Sequence, residues 1–434
     1  MKKHAGAPRR GGDVKPEGRD GRLAWWSRIV IPSRQKSAGT RPVAAYAVVD
    51  PGSTRLRVLA VGQGAEGPTV FGWGEKAMRA GAECEGEELA LAFEEALSEA
   101  ETMARHRSEG WRAADQVVVG LPAWQLRGWA SPVVHKRSTP SREVDERELE
   151  ALLARAFHLS ANKVKAPQDR EWVLVDAVPA ALGVDEQGVT DPVGFRGSVL
   201  KASVFAAAAR RQTVEAWAQI AEGCGFSDLT VTAAPLALAA CPPGAQGIIA
   251  DVGAAHTNVV WWRAGRPLAT GSVDVGGRLL TECLVRQWRL SAEKAETLQV
   301  SLSEGQLAAD VREQVIEILR PALAIWRHAV EGLLADMHDL SGEPLPHRLL
   351  VCGGGSSLPE LLDEARALFF SHRLTFGRYP ELARLRHTDV PGIANRTEFG
   401  RGAGDVPALA LAAWSARLAE PVDRPGRVLQ KLWR

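Results

Sequence analysis

The stretch AYAVVDPGSTRLRVLAVG, residues 45–62, decides the fold. Two apolar runs, AYAVVD and RLRVLAVG, read as buried strands, and the Pro-Gly-Ser-Thr between them leaves room only for a tight return. Asp50 closes the first strand, and Gly52, Ser53 and Thr54 fill the turn. Small residues at such a turn let backbone N–H groups and hydroxyls come close to phosphate oxygens. Asp50 itself cannot meet a phosphate, because like charges repel. A carboxylate there suits a Mg²⁺ ion that keeps part of its water shell.

The same design returns in IIADVGAAHTNVVWW, residues 248–262, where Asp251 and Gly253 follow one apolar strand and precede another. A lone strand-Asp-x-Gly is more often an ordinary hairpin. Two copies, each between strands, imply two similar sheets facing one cleft. A third element, LLVCGGGSSLPELLDEA at 349–365, sets Gly353, Gly354, Gly355 and Ser356 between a strand and a helix that starts near Pro359. One reading is a flexible connection. The other is close backbone approach to an adenine or ribose, which residues lacking a Cβ permit.

Outward from these turns, strands alternate with helices, so parallel sheets covered by helices are expected. At 434 residues the chain exceeds the size at which one core stops growing, and more than one domain follows. Its net charge of +1 excludes the strongly basic profile of a dedicated nucleic-acid binder, and no nucleic-acid partner is expected. Residues 1–42 hold eleven Lys and Arg against three Asp and Glu, a basic arm at +8 that leaves the body at −7. Cys84, Cys224, Cys241, Cys283 and Cys352 are widely spaced, odd in number and without a C-x-x-C pair, which suggests neither a zinc site nor a disulfide framework. A reducing cytoplasmic setting fits this pattern. No run of eighteen apolar residues occurs, so membrane contact is expected to be peripheral.

The three turns together resemble the actin-like ATPase superfamily, and VLVDAVPAALGVDEQGVTDPVGFRGSVLKASVFAAA at 173–208, above all DPVGFRG at 191–197, is similar to the FtsA family of bacterial cell-division proteins. CGFSDLTVTAAPLALA at 224–239 and SVDVGGRLLTECL at 272–284 agree, the latter also with the related PilM family of pilus proteins. The resemblance implies an α/β, actin-like two-lobed fold of duplicated ribonuclease H-like domains with an FtsA-type inserted subdomain. Its implied parts are a disordered basic arm at 1–42, a first lobe from 43–118 and 209–245, and an insert of the SHS2 type at 119–208. A second lobe from 246–285 and 346–420, its helical subdomain at 286–345 and an amphipathic membrane-targeting segment at 421–434 complete them. It implies ATP with Mg²⁺ on Asp50 and Asp251. Gly52, Ser53, Thr54, Gly253 and Thr257 would face phosphate, and Gly353, Gly354, Gly355 and Ser356 would face adenosine. Glu296, in SAEKAETLQ at 291–299, would face ribose. By itself Glu296 reads as a solvated helix residue.

The chain departs from that family in having Ala254 and Ala255 where glycines are usual, Gln299 where a lysine is, and Pro51 inside the first turn. No residue stands out as the base that would orient an attacking water. The implied partners are the C-terminal tail of FtsZ, anionic membrane lipids and further copies in filaments, at the cytoplasmic face of the division site. A PilM-like pilus adaptor is the alternative, and a small-molecule kinase of the same superfamily a third reading. At the C-terminus, RPGRVLQKLWR places Val428, Leu429, Leu432 and Trp433 on one helical face with basic residues elsewhere, a pattern suited to an interfacial helix. LAWWSRIVIP at 23–32, with Trp25 and Trp26, is a second candidate for lipid contact.

Overall fold

The computed structural model describes residues 45–78, 86–418 and 420–433. The expectations for the basic arm, for LAWWSRIVIP and for Cys84 lie outside these residues.

The chain opens with β1 (Tyr46–Pro51), β2 (Arg55–Gly64) and β3 (Gly67–Ala77), an antiparallel meander, followed by α1 (Glu87–Arg107) and β4 (Gln116–Leu121). Helix α1 buries Leu89, Phe93, Ala96, Ala100 and Ala104, one face at helical spacing. Its alanines meet glycines on β3: a Cβ on Gly72 would lie 1.8 Å from the Ala100 carbonyl oxygen, and one on Gly74 1.9 Å from that of Ala96. Helix backbone therefore rests directly on strand backbone.

Next come β5 (Leu126–Lys136), α2 (Glu146–Val164), β6 (Trp172–Val184), β7 (Gln187–Gly188) and β8 (Val199–Arg210). Asp145 caps α2 by accepting from the Glu148 N–H at 2.9 Å, and the Glu148 carboxylate accepts in return from the Asp145 N–H. The chain continues through α3 (Arg211–Gly223), β9 (Asp228–Ala233), α4 (Ala234–Ala239), β10 (Gln246–Val252), β11 (Thr257–Arg263) and β12 (Arg266–Val273). It ends with α5 (Gly277–Trp288), α6 (Ala292–Ser303), α7 (Ala309–Ser341), β13 (Arg348–Cys352), α8 (Pro359–Ala367), β14 (Glu381–Arg384), β15 (Ala394–Asn395), α9 (Val406–Arg417) and α10 (Arg424–Trp433).

Two sheets result, ordered β15-β3-β2-β1-β4-β9 and β14-β13-β10-β11-β12-β5-β8-β6-β7. In the first, β3-β2-β1 is antiparallel and β4 and β9 run parallel to β1. In the second, β12-β11-β10 is antiparallel and β13 and β14 run parallel to β10. One unit has been used twice. The expectation of parallel sheets is thus corrected to mixed ones: a return of a few residues after each aspartate can join only antiparallel strands, since a parallel pair needs a long crossover.

The segment β5-α2-β6-β7-β8 forms an antiparallel ladder that extends the second sheet through two residue pairs, Ala269 with Trp129 and Thr270 with Gly128. Helices α4 and α9 lie in a core shared by both sheets, with Val48 and Leu59 on one side and Ile249, Val260 and Trp262 on the other. Strand β15 pairs with β3, so the chain returns to the first sheet well before residue 420.

Candidate functional site

The ladders fix the two turns in the same geometry. Pro51 pairs with Leu56 and Val252 with Thr257, and Asp50 stands opposite Arg57 as Asp251 stands opposite Asn258. In each turn the glycine N–H donates to the carbonyl three residues on, Gly52 to Arg55 at 3.0 Å and Gly253 to His256 at 2.9 Å. The turns meet across the cleft, where the Ala255 N–H donates to Ser53 Oγ at 3.1 Å. Thr54 is half-buried, and its carbonyl accepts from the Met78 N–H at 2.8 Å.

Arg57 is the central cation. It lies 3.4 Å from Asp50, 2.8 Å from Glu75 and 3.5 Å from Asp405. Burial raises the pKa of Asp50 from the usual carboxylate range, opposed by Arg57. Burial likewise pushes Asp251 up to about 6, opposed by the bond from Asn258 Nδ2 at 3.0 Å and reinforced by the charge of Asp50. One arginine thus serves a surplus of carboxylates.

The triple glycine closes on the second turn. Gly353 has φ 84° and its N–H donates to the Ala403 carbonyl at 2.9 Å; a Cβ there would lie 2.5 Å from Asp251 Oδ1. A Cβ on Gly355 would meet Val252 Cγ1 at 2.5 Å, whereas Gly354 is exposed and has open space where a Cβ would sit. Gly404 lies alongside Gly354, so the Gly402–Asp405 turn joins the site.

Not every expected residue arrives. Thr257 is fully buried on the core side of β11, where its hydroxyl donates to the Val275 carbonyl at 2.7 Å and accepts from Trp326 Nε1 at 2.9 Å. It contacts no cleft group, because its place at the first paired position of β11 turns it inward. Ser356 is buried too, its hydroxyl donating to the Gly353 carbonyl at 2.7 Å, so it shapes the turn and does not face a ligand. Glu296 stands exposed on α6, and Gln299 Nε2 donates to Thr281 Oγ1 at 2.7 Å.

Sequence reasoning missed four residues that the cleft uses. Arg57 and Asn258 each lie seven places after their aspartate, which the short return makes the facing position. Trp124 follows β4, stacks on His256 with ring centroids 4.6 Å apart and planes 12° apart, and donates its backbone N–H to Asn258 Oδ1 at 3.2 Å. Asp405 reaches Arg57 from the turn before α9.

The donor set fits a magnesium nucleotide. Two buried carboxylates of raised pKa with a single shared cation favour a second one. Asp50 and Asp251 are the carboxylates that would hold Mg²⁺, a cation that keeps several waters and takes one or two protein carboxylates with substrate phosphate. The Ser53 to Ala255 bond would have to open, at a cost of about 1 kcal/mol, and this is small against new charge-assisted bonds.

The C-terminal helix α10 corrects the membrane reading. Val428 and Leu429 are each 2% exposed, and Leu432 and Trp433 pack beside them on a cluster built from α2, β6 and β8 that includes Leu149, Leu153 and Leu182. Arg424 pairs with Asp191 at 3.1 Å, so the DPVGFRG turn helps to seat the helix. Its apolar face is covered by protein and is not offered to lipid. Among the described residues no helix is long and apolar enough to cross a membrane.

Two duplicated sheets around a cleft lined by paired Asp-x-Gly turns define an actin-like protein. No family model matches the chain. The cell division proteins FtsA of Agrobacterium fabrum and of Rhizobium radiobacter are each 25% identical to it over 299 residues, 62% of this chain and 65% of theirs, so the match spans 65% of the length of these relatives. The solved PilM-PilN type IV pilus biogenesis complex is 20% identical, covers 88% of this chain and 99% of that one, and has a TM-score of 0.57. In sequence and fold the chain is similar to the FtsA and PilM branch of actin-like proteins.

Proposed function

We propose that this chain is an actin-fold adaptor that holds ATP with Mg²⁺ between its lobes and links a cytoplasmic partner to a membrane assembly. The observation that carries the nucleotide half is the convergence of three glycine turns on Asp50 and Asp251, with Ser53 bonded across to Ala255. Asp50 and Asp251 would hold the ion, whose positive charge would offset the phosphates, and the exposed face at Gly354 would take the adenosine. Trp124 stacked on His256 keeps bulky groups beside the second turn.

The partner half has two readings. Sequence likeness to FtsA favours a division protein that tethers FtsZ to the cytoplasmic membrane by gripping its C-terminal tail, with assembly into filaments. The seated α10 favours a PilM-like adaptor of type IV pilus assembly, because an adaptor whose partner is itself membrane-bound needs no free lipid helix. Isothermal titration of the full chain with an FtsZ C-terminal peptide and, separately, with a PilN peptide decides between them. Saturable binding of one peptide selects its reading, and binding of neither rejects both.

A further inference from the structure

With α10 seated, another surface carries the chemistry of a bilayer contact. Phe370 and Tyr379 are 76% and 85% exposed, the most exposed large hydrophobic side chains among the described residues. They belong to one locus, since Phe369 and Phe376 pack edge to face with centroids 5.6 Å apart and hold the two chain stretches together. From 366 to 381 the chain has three arginines, Arg366, Arg373 and Arg378, against the single acid Glu381. Arg366 is paired with Asp363, while Arg373 and Arg378 stand exposed; Arg384, at the far end of β14, and Arg386 beyond it lie outside the locus. Beside Tyr379 lies a cavity of about 490 Å³ lined by His347, Arg348 and Arg378, with Arg263 and its partner Glu343, and Glu381. The locus lies at the start of β13 and before β14, the end of the sheet opposite the phosphate turns.

We propose that this aromatic and arginine surface binds anionic phospholipid and orients the protein on the membrane with its cleft facing away. The inference rests on the adaptor reading for its membrane setting and is independent of nucleotide. Rings that project this far need no complementary pocket, and the boundary between headgroups and acyl chains accepts both Phe and Tyr. The exposed arginines match the charge of the headgroups.

The test is sedimentation of the full chain with vesicles of phosphatidylglycerol and phosphatidylcholine, and with phosphatidylcholine alone. Wild type pellets with the anionic vesicles only. Phe370→Ser with Tyr379→Ser, and separately Arg373→Glu with Arg378→Glu, each lower that partition at least about fivefold, with thermal midpoint and ATP-analogue binding unchanged. Equal partition of wild type and both variants overturns the proposal, as does absence of wild-type pelleting. Loss of self-association in sedimentation velocity without loss of vesicle binding assigns the surface to a second copy and overturns it as well. Loss of ATP-analogue binding in wild type sinks the nucleotide reading and leaves this outcome readable.

Discussion

Single residues set the site by proximity. Gly353 is held at φ 84° with Asp251 Oδ1 where its Cβ would go, so Gly353→Ala combines backbone strain with a clash against the carboxylate. Its stability should fall by about 1–3 kcal/mol, read as a lower urea midpoint at constant slope. Asp176 reports pH instead. It is buried on β6, where Thr232 Oγ1 donates to it at 3.0 Å and the Ala233 N–H at 2.5 Å, and burial still raises its pKa to about 7, opposed by those two bonds. The folded form therefore keeps its proton where the unfolded chain has lost it. Stability declines as pH rises from the ordinary carboxylate value through about 7, and is highest below that window. Asp176→Asn retains an acceptor for both donors and cannot ionise, so its thermal midpoint should exceed wild type at about pH 8 and approach it at about pH 5. Equal midpoints at both values would show that Asp176 does not titrate in the fold. At this scale the sequence was only partly legible. Aspartates and glycines announce the turns, but Arg57 and Asn258 look like solvated strand residues until the strand register sets them opposite Asp50 and Asp251. Thr257 illustrates the converse: the family resemblance implied a phosphate-facing residue, and one step of strand alternation turned it into the core.

Elements were read more surely than their surroundings. The proline at the start of α8 and the apolar spacing of the C-terminal RPGRVLQKLWR each act locally, and helices form there. Periodicity told that α10 is amphipathic but not what covers its apolar face, since a bilayer and a protein groove require the same pattern. The seat is made by residues far away in sequence, from Val133 to Val204. Leu429→Ala should cost about 2 kcal/mol, the low end for a buried leucine because a terminal helix can settle into the gap. Lys431→Ala, on the exposed face, should leave the urea midpoint unchanged. Hydrogen exchange should find residues 424–433 protected in wild type and exchanging faster in Leu429→Ala. Rapid exchange of α10 in wild type would return it to the membrane-targeting role.

For the whole molecule, the account is of two copies of one unit that share α4 and α9 between their sheets and meet at paired turns. Duplication was legible in the sequence as a repeated strand-Asp-x-Gly-strand, because a buried strand and a small-residue turn leave a pattern that needs no tertiary knowledge. The long-range bonds that close the cleft, Ser53 to Ala255 and Trp124 to Asn258, join residues more than a hundred places apart and leave no such pattern. The central claim is that this closed cleft receives a magnesium nucleotide, and equilibrium binding of a fluorescent ATP analogue to the full chain tests it most directly. Saturable binding with Mg²⁺, weakened at least about tenfold by EDTA and by Asp251→Asn, is the predicted result. Absence of binding at about millimolar analogue with Mg²⁺ present would contradict it and leave the protein an actin-fold scaffold without a nucleotide.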